Sequence, residues 1–176
     1  MKTKFLLGMT FVAMTTMGFD CINDPIIVSL NLEPFTACYD IDSTTYDRFV
    51  TIRPEDFIDD SYLKKIADAR VYNITVEARG SFDGSITDGV VTINGEPLLT
   101  YSGTWANFST PQSLLGSSPY IHPQGRGISV LIDVLKQMQP FTLKSRGRLT
   151  GGGVPPVPSG LSVCVNVYTQ ADANAK

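Results

Sequence analysis

The sequence predicts a mainly β protein: an antiparallel sandwich of about seven or eight strands with two short helices, and a partly open β-barrel as the alternative. Three observations predict it. Period-two alternation of apolar and polar residues recurs, most clearly at residues 71–78 and 161–168. Asn94–Gly95 sits between two apolar runs, where both residues tolerate the positive φ of a type I′ hairpin. Strands also follow one another through turns, without the regular β-α-β alternation of a doubly wound sheet.

Residues 1–18 read as a signal peptide. Lys2 and Lys4 form a basic start, residues 5–14 an apolar run broken only by Gly8 and Thr10, and residues 15–18 a small-residue exit, with cleavage after Gly18. The run is too short for a permanent anchor, which takes about 20 residues. Residues 19–176 then form a single β-rich domain with a polar C-terminal tail.

Within that domain, residues 25–32 place Ile26, Val28, Leu30 and Leu32 on one strand face and Ile27, Ser29 and Asn31 on the other. Residues 35–41 return as a second strand across the Glu33–Pro34 break. Residues 42–46 are turn-like, and 49–52 form a short β-branched run. An acid-rich loop over 53–60 leads to a short helix over 61–69, with Tyr62, Leu63 and Ile66 at helical spacing and Asp60 as N-cap. The alternating run VYNITVEA at 71–78 is a strand. Residues 80–89 carry turn chemistry at Asp83–Gly84 and Asp88–Gly89.

The hairpin strands 90–93 and 96–101 flank Asn94–Gly95. Pro97, lacking an N–H, puts the second strand at an edge or delays its start. Residues 103–127 form a long polar connection, a length that marks either a working loop or a missed element. Ile128, Leu131, Ile132 and Leu135 define a helix over 128–139, stopped by Pro140. Residues 141–149 alternate weakly, with Phe141, Leu143 and Ser145 opposite Thr142, Lys144 and Arg146. Gly151, Gly152 and Gly153 precede a proline-rich stretch, a flexible piece joined to a stiff one. The run LSVCVNVY at 161–168 is the last strand, and residues 171–176 are a polar tail.

Removing residues 1–18, which carry two lysines and no acid, takes the formal charge from −3 to −5. A mildly acidic chain with no basic patch argues against nucleic acid, which is held by neutralised phosphates, and against anionic lipid. No second apolar stretch is long enough to span a bilayer, so the mature chain carries no transmembrane segment. The reading is an exported protein: secreted, periplasmic or at the cell surface, with a bacterial style of leader. Of the three cysteines, Cys21, Cys38 and Cys164, two pair in an oxidising compartment. Cys21 and Cys38 are closest in sequence and form the candidate disulfide, although sequence does not choose among the three pairings. Lipidation of Cys21 competes weakly, because Gly18 and Asp20 stand where a lipoprotein signal has Leu and a small residue.

Catalytic equipment is scant. His122 is the single histidine, no G-x-S-x-G elbow surrounds Ser117 or Ser118, and no local spacing supplies a triad. One histidine and three cysteines make no zinc cage. Glu55, Asp56, Asp59 and Asp60 lack the ordered spacing of a calcium loop, and Asp83 and Asp88 precede glycines as turn residues do. Asn73-Ile74-Thr75 and Asn107-Phe108-Ser109 match the glycosylation sequon, read here as chance in a Ser/Thr-rich β chain.

The expectation is therefore a non-catalytic envelope or secreted binding or assembly module, adhesin-like or a surface or filament subunit. It needs no metal or cofactor. Its partners are other envelope or extracellular proteins, surface glycans, or further copies of itself. Tyr101, Trp105, Phe108, Tyr120 and His122 cluster around the long connection and form the candidate binding loop, against the alternative that the aromatics cap the core. Two other functions stay open: a carbohydrate-acting hydrolase using a carboxylate pair, and a carrier of a small apolar ligand.

Overall fold

Ladder pairing organises the chain into two antiparallel sheets, in a computed structural model that describes residues 27–58, 66–153 and 156–174. The leader and Cys21 lie outside the described residues, as do Asp60 and most of the helix expected over 61–69. One sheet contains β1 (Ile27–Asn31), β2 (Phe35–Ile41), β4 (Ile66–Arg79), β7 (Gln112–Ser113) and β10 (Leu161–Asn174). The other runs in the order β3 (Thr45–Ile52), β9 (Phe141–Gly151), β5 (Gly84–Ile93), β6 (Glu96–Thr104) and β8 (Ile121–Pro123). Together they form a β-sandwich, with one α-helix, α1 (Gly125–Gln137), and two 3-10 turns among the described residues.

β10 is the spine of the first sheet. It pairs with β4 on one side, and on the other with β1 and β2 laid end to end. The Glu33–Pro34 break therefore does not reverse the chain, as the sequence reading expected. Both segments run antiparallel to β10, and Leu32 N–H donates to Thr169 O at 3.2 Å across the interruption. Pro34 has no donor for the ladder, which is why one long edge is split in two.

Alternation drives the packing. Phe35, Ala37, Tyr39 and Ile41 of β2 and Val163, Val165 and Val167 of β10 face inward, and meet Ile86, Leu99 and Leu143 of the other sheet. Each Val, Leu, Ile or Phe side chain among them contributes roughly 1.5–3 kcal/mol by leaving water. α1 closes one side of the sandwich by packing on β4 and β6, with Leu131, Val134 and Leu135 buried. Its ends are tied to opposite sheets. Arg126 Nε lies 3.3 Å from Glu96 Oε2 on β6, and Lys136 Nζ lies 2.7 Å from Asp68 Oδ1 on β4. Lys136 first, then the Ala69 N–H, holds the Asp68 carboxyl below the usual carboxylate range. No helix among the described residues is long and apolar enough to cross a membrane.

Several local expectations change. Residues 66–69 belong to β4, not to a helix: Ile66 and Ala69 pair with Ala173 and Ala171 of β10. Residues 171–174 are therefore strand, not tail, with Ala171 and Ala173 buried opposite Leu30 and Val28. Small apolar side chains alternate there with Gln170, Asp172 and Asn174, and the polar half masked the pattern. Asp88–Gly89 is a bulge within β5, with Asp88 at φ 53°, and not a turn between strands. The Asn94–Gly95 turn is as expected, with φ of 48° and 89°. The long connection dissolves into a 3-10 turn, β7, β8 and the first turn of α1.

The disulfide joins Cys38 to Cys164, not Cys21 to Cys38. Cys38 and Cys164 are register partners on β2 and β10, with Cα atoms 4.0 Å apart. Sheet pairing thus brings together two cysteines that are 126 positions apart in sequence.

Candidate functional site

The second sheet carries a surface groove on its outer face. The ladder registers align Asp47 of β3, Arg146 of β9, Val90 of β5, Thr100 of β6 and His122 of β8 as one transverse row. Residues at paired positions in neighbouring strands share a face, so these side chains all point away from the core. Beside the row run Thr45, Arg148 and Thr87, again partners across three strands. With Asp88 and Ser102, the two rows line an open groove of about 860 Å³; His122 stands just beyond it.

Its curvature and floor have local causes. The bulge at Asp88–Gly89 shifts the register of β5 against both β6 and β9, and a bulge bends and twists its strand. The floor is made by two cross-strand pairs, Tyr46 with Gly147 and Tyr101 with Gly89. A Cβ on Gly147 would meet the Tyr46 hydroxyl at 2.5 Å, and one on Gly89 would meet the Tyr101 ring at 2.7 Å. The rings occupy the space that side chains at the glycines would fill, and they do so from inside the core.

Below the floor the Tyr46 and Tyr101 hydroxyls are 2.7 Å apart, and Tyr101 Oη is 2.7 Å from Ser145 Oγ. Burial pushes the Tyr101 hydroxyl up to about 12, partly offset by its bonds to Ser145 and Tyr46. Burial also raises Tyr46 and Tyr39, and the nearby Tyr101 charge adds to both. These phenols stay neutral and act as fixed dipoles.

The groove's charges are unevenly engaged. Asp47 Oδ1 accepts from Lys144 Nζ at 2.9 Å. Arg48, Arg70, Arg79 and Arg126 each hold a carboxylate within 4.0 Å. Arg146 and Arg148 hold none among the described residues, and both are exposed. Two exposed guanidiniums, ringed by hydroxyls and flanked by the Asp47 and Asp88 carboxylates, are equipped to grip an anion with hydroxyl groups around it.

The sequence-predicted binding residues divide. Tyr101, Trp105 and Phe108 are at most 3% exposed. Phe108 stacks edge-on with Tyr101 at 6.0 Å and with half-buried Tyr120 at 6.1 Å, while Trp105 meets Phe82 at 5.6 Å and donates from Nε1 to Gly80 O at 3.0 Å. The aromatics are thus brought together, but chiefly as core. Of the set, His122 alone stands exposed on the outer face of β8. Among the described residues, no three His, Cys, Asp or Glu side chains are placed to hold a metal ion, and Asp59 and Asp60 lie outside them.

Arg146, Arg148, Thr87 and Thr100 were not singled out by sequence reasoning. One signal was present and corrects the reading that the chain has no basic patch: residues 144, 146 and 148 are all cationic, and strand periodicity puts them on one face. No family model and no curated protein matches this chain. A solved chain described as Desmodium yellow mottle tymovirus is similar over 92% of this chain and 95% of its own, at 11% identity and a TM-score of 0.36. At that score the likeness carries no inference.

Proposed function

We propose that the protein is an exported, non-catalytic binding module of the cell envelope or extracellular space, holding its partner on the outer face of the second sheet. The observation that carries this reading is the groove itself, where four strands present two guanidiniums that hold no carboxylate among the described residues, and four hydroxyl side chains, over a floor of buried tyrosines. A ligand surface on paired strands is rigid, which lowers the ordering cost of binding. Export is supported by the leader pattern, and the cysteine bridge suits an oxidising compartment.

The test is sedimentation of the mature protein with isolated cell envelopes. Binding that falls in an Arg146→Ala/Arg148→Ala variant supports the reading, and binding that ignores the variant removes the groove from it. Light scattering on the same preparation addresses self-assembly: a strict monomer at all concentrations ends the filament-subunit version.

One observation favours the hydrolase reading, since Asp47 and Asp88 both line the groove. Asp47 Oδ1 is already engaged by Lys144 Nζ at 2.9 Å, so that oxygen is turned to a lysine and not to a substrate. Release of reducing ends from a polysaccharide, abolished in Asp47→Asn or Asp88→Asn, would establish that reading instead. The apolar-carrier reading needs an open interior, and that space is occupied by Tyr39, Phe108, Phe141 and their neighbours.

A further inference from the structure

Resting on the binding-module reading, we infer that the groove takes an acidic sugar chain, one bearing carboxylate or sulfate groups. Arg146 and Arg148 are two residues apart on β9, so both project from the same face, with backbones separated by roughly 7 Å. Their forks match the paired oxygens of a carboxylate or sulfate, and neither is neutralised by a carboxylate among the described residues. Lys144 extends the cationic stripe but is held by Asp47. The hydroxyls of Thr45, Thr87, Thr100 and Ser102 line the same groove. Thr87 donates to Arg148 O at 3.5 Å and is left to accept, while the other three can donate and accept, which is the bonding that a ring of sugar hydroxyls requires.

An acidic peptide fits less well. Extended peptides are held through main-chain bonds to a free strand edge. Here β9 is paired with β3 and β5, and β5 with β9 and β6, so the backbone beneath the two arginines is already committed. The groove's unpaired side is that of β3, at the end of the sheet, so over β9 and β5 side chains face the ligand.

The experiment is calorimetric titration of the mature protein with four probes: an oligogalacturonate, a sulfated oligosaccharide, a neutral malto-oligosaccharide and poly-glutamate. The expected result is binding of at least one acidic sugar, weakened by salt, with poly-glutamate and the neutral sugar weaker. Arg146→Ala/Arg148→Ala should weaken it by about tenfold or more, and Arg146→Lys/Arg148→Lys should recover part of the loss. Both arginines are exposed, so an unchanged melting temperature confirms that the variants fold. Equal binding of neutral and acidic sugars, or tighter binding of poly-glutamate, overturns the inference. Failure of all four probes while envelope binding persists overturns it alone, and loss of envelope binding as well removes the reading beneath it.

Discussion

The Tyr46 hydroxyl lies 2.7 Å from the Tyr101 hydroxyl within the core, and Tyr101 reaches a further 2.7 Å to Ser145. The three residues sit on β3, β6 and β9, so the chain of hydroxyls crosses beneath β5, where Gly89 leaves room for it. Buried polar groups need partners because the interior solvates them poorly. These three supply one another, and in doing so they fix the spacing of the strands that form the groove.

Tyr101 is the middle member, and its loss should be the most damaging. Tyr101→Phe deprives both Tyr46 and Ser145 of their partner and is expected to cost about 2–6 kcal/mol, from about 1–3 kcal/mol per buried unsatisfied group. Tyr46→Phe keeps the Tyr101–Ser145 bond and should cost about 1 kcal/mol. Urea unfolding at neutral pH gives the order. Equal losses for the two would show that the hydroxyls do not act as a linked set.

Alkali should unfold the protein through the same residues. Folding raises Tyr101 to about 12 and raises Tyr39 and Tyr46 as well, with burial the leading cause in each. Unfolded tyrosine loses its proton near about 10. Above that pH the unfolded chain holds fewer protons than the folded one, so stability falls as pH rises. The loss begins near pH 10 and, for Tyr101, continues to about 12. Melting temperature against pH, read with tyrosinate absorbance, should bend downward there and less so in Tyr39→Phe. Tyr39 Oη is buried and has no partner among the described residues, so that variant should be neutral or stabilising at pH 7.

Gly147 is required by packing, since its backbone needs no unusual φ. A Cβ there would press on the Tyr46 hydroxyl at 2.5 Å and ring carbon at 2.7 Å. Gly147→Ala should therefore destabilise by about 1–3 kcal/mol through overpacking. Combining it with Tyr46→Leu should recover part of that loss in thermal melts. A Gly147→Ala protein as stable as the parent would refute the ring-over-glycine arrangement.

The sandwich was legible because its strands alternate: β2 and the halves of β4 and β10 that carry Val and Ile were read nearly to their ends. What escaped follows from composition. Ala171 and Ala173 bury too little surface to stand out among Asp172 and Asn174, so the end of β10 read as tail. Asp88–Gly89 has the residues of a turn and is a bulge, because pairing with β6 and β9 resumes on both sides of it. Ile66 fits helical and strand periods alike, and β10 decides between them. The groove was less legible still. Asp47, Arg146, Val90, Thr100 and His122 are scattered from 47 to 146, and only the registers of five strands align them.

The cysteine bridge gives the sharpest check on that register. Cys38 on β2 faces Cys164 on β10, closing a loop across a sequence separation of 126. In the chain-entropy model a loop of this length restricts the unfolded state by about 4–5 kcal/mol, and native bridges commonly deliver about 2–5. A Cys38→Ala/Cys164→Ala variant should lose stability in that range, as should the reduced protein. Non-reducing peptide mapping should recover the peptides of Cys38 and Cys164 joined, with Cys21 in neither. A Cys21–Cys38 link would count against the pairing of β2 with β10 in this register. The inward placement of Phe35, Ala37, Tyr39 and Ile41 depends on that pairing, so the packing of the first sheet would fall with it.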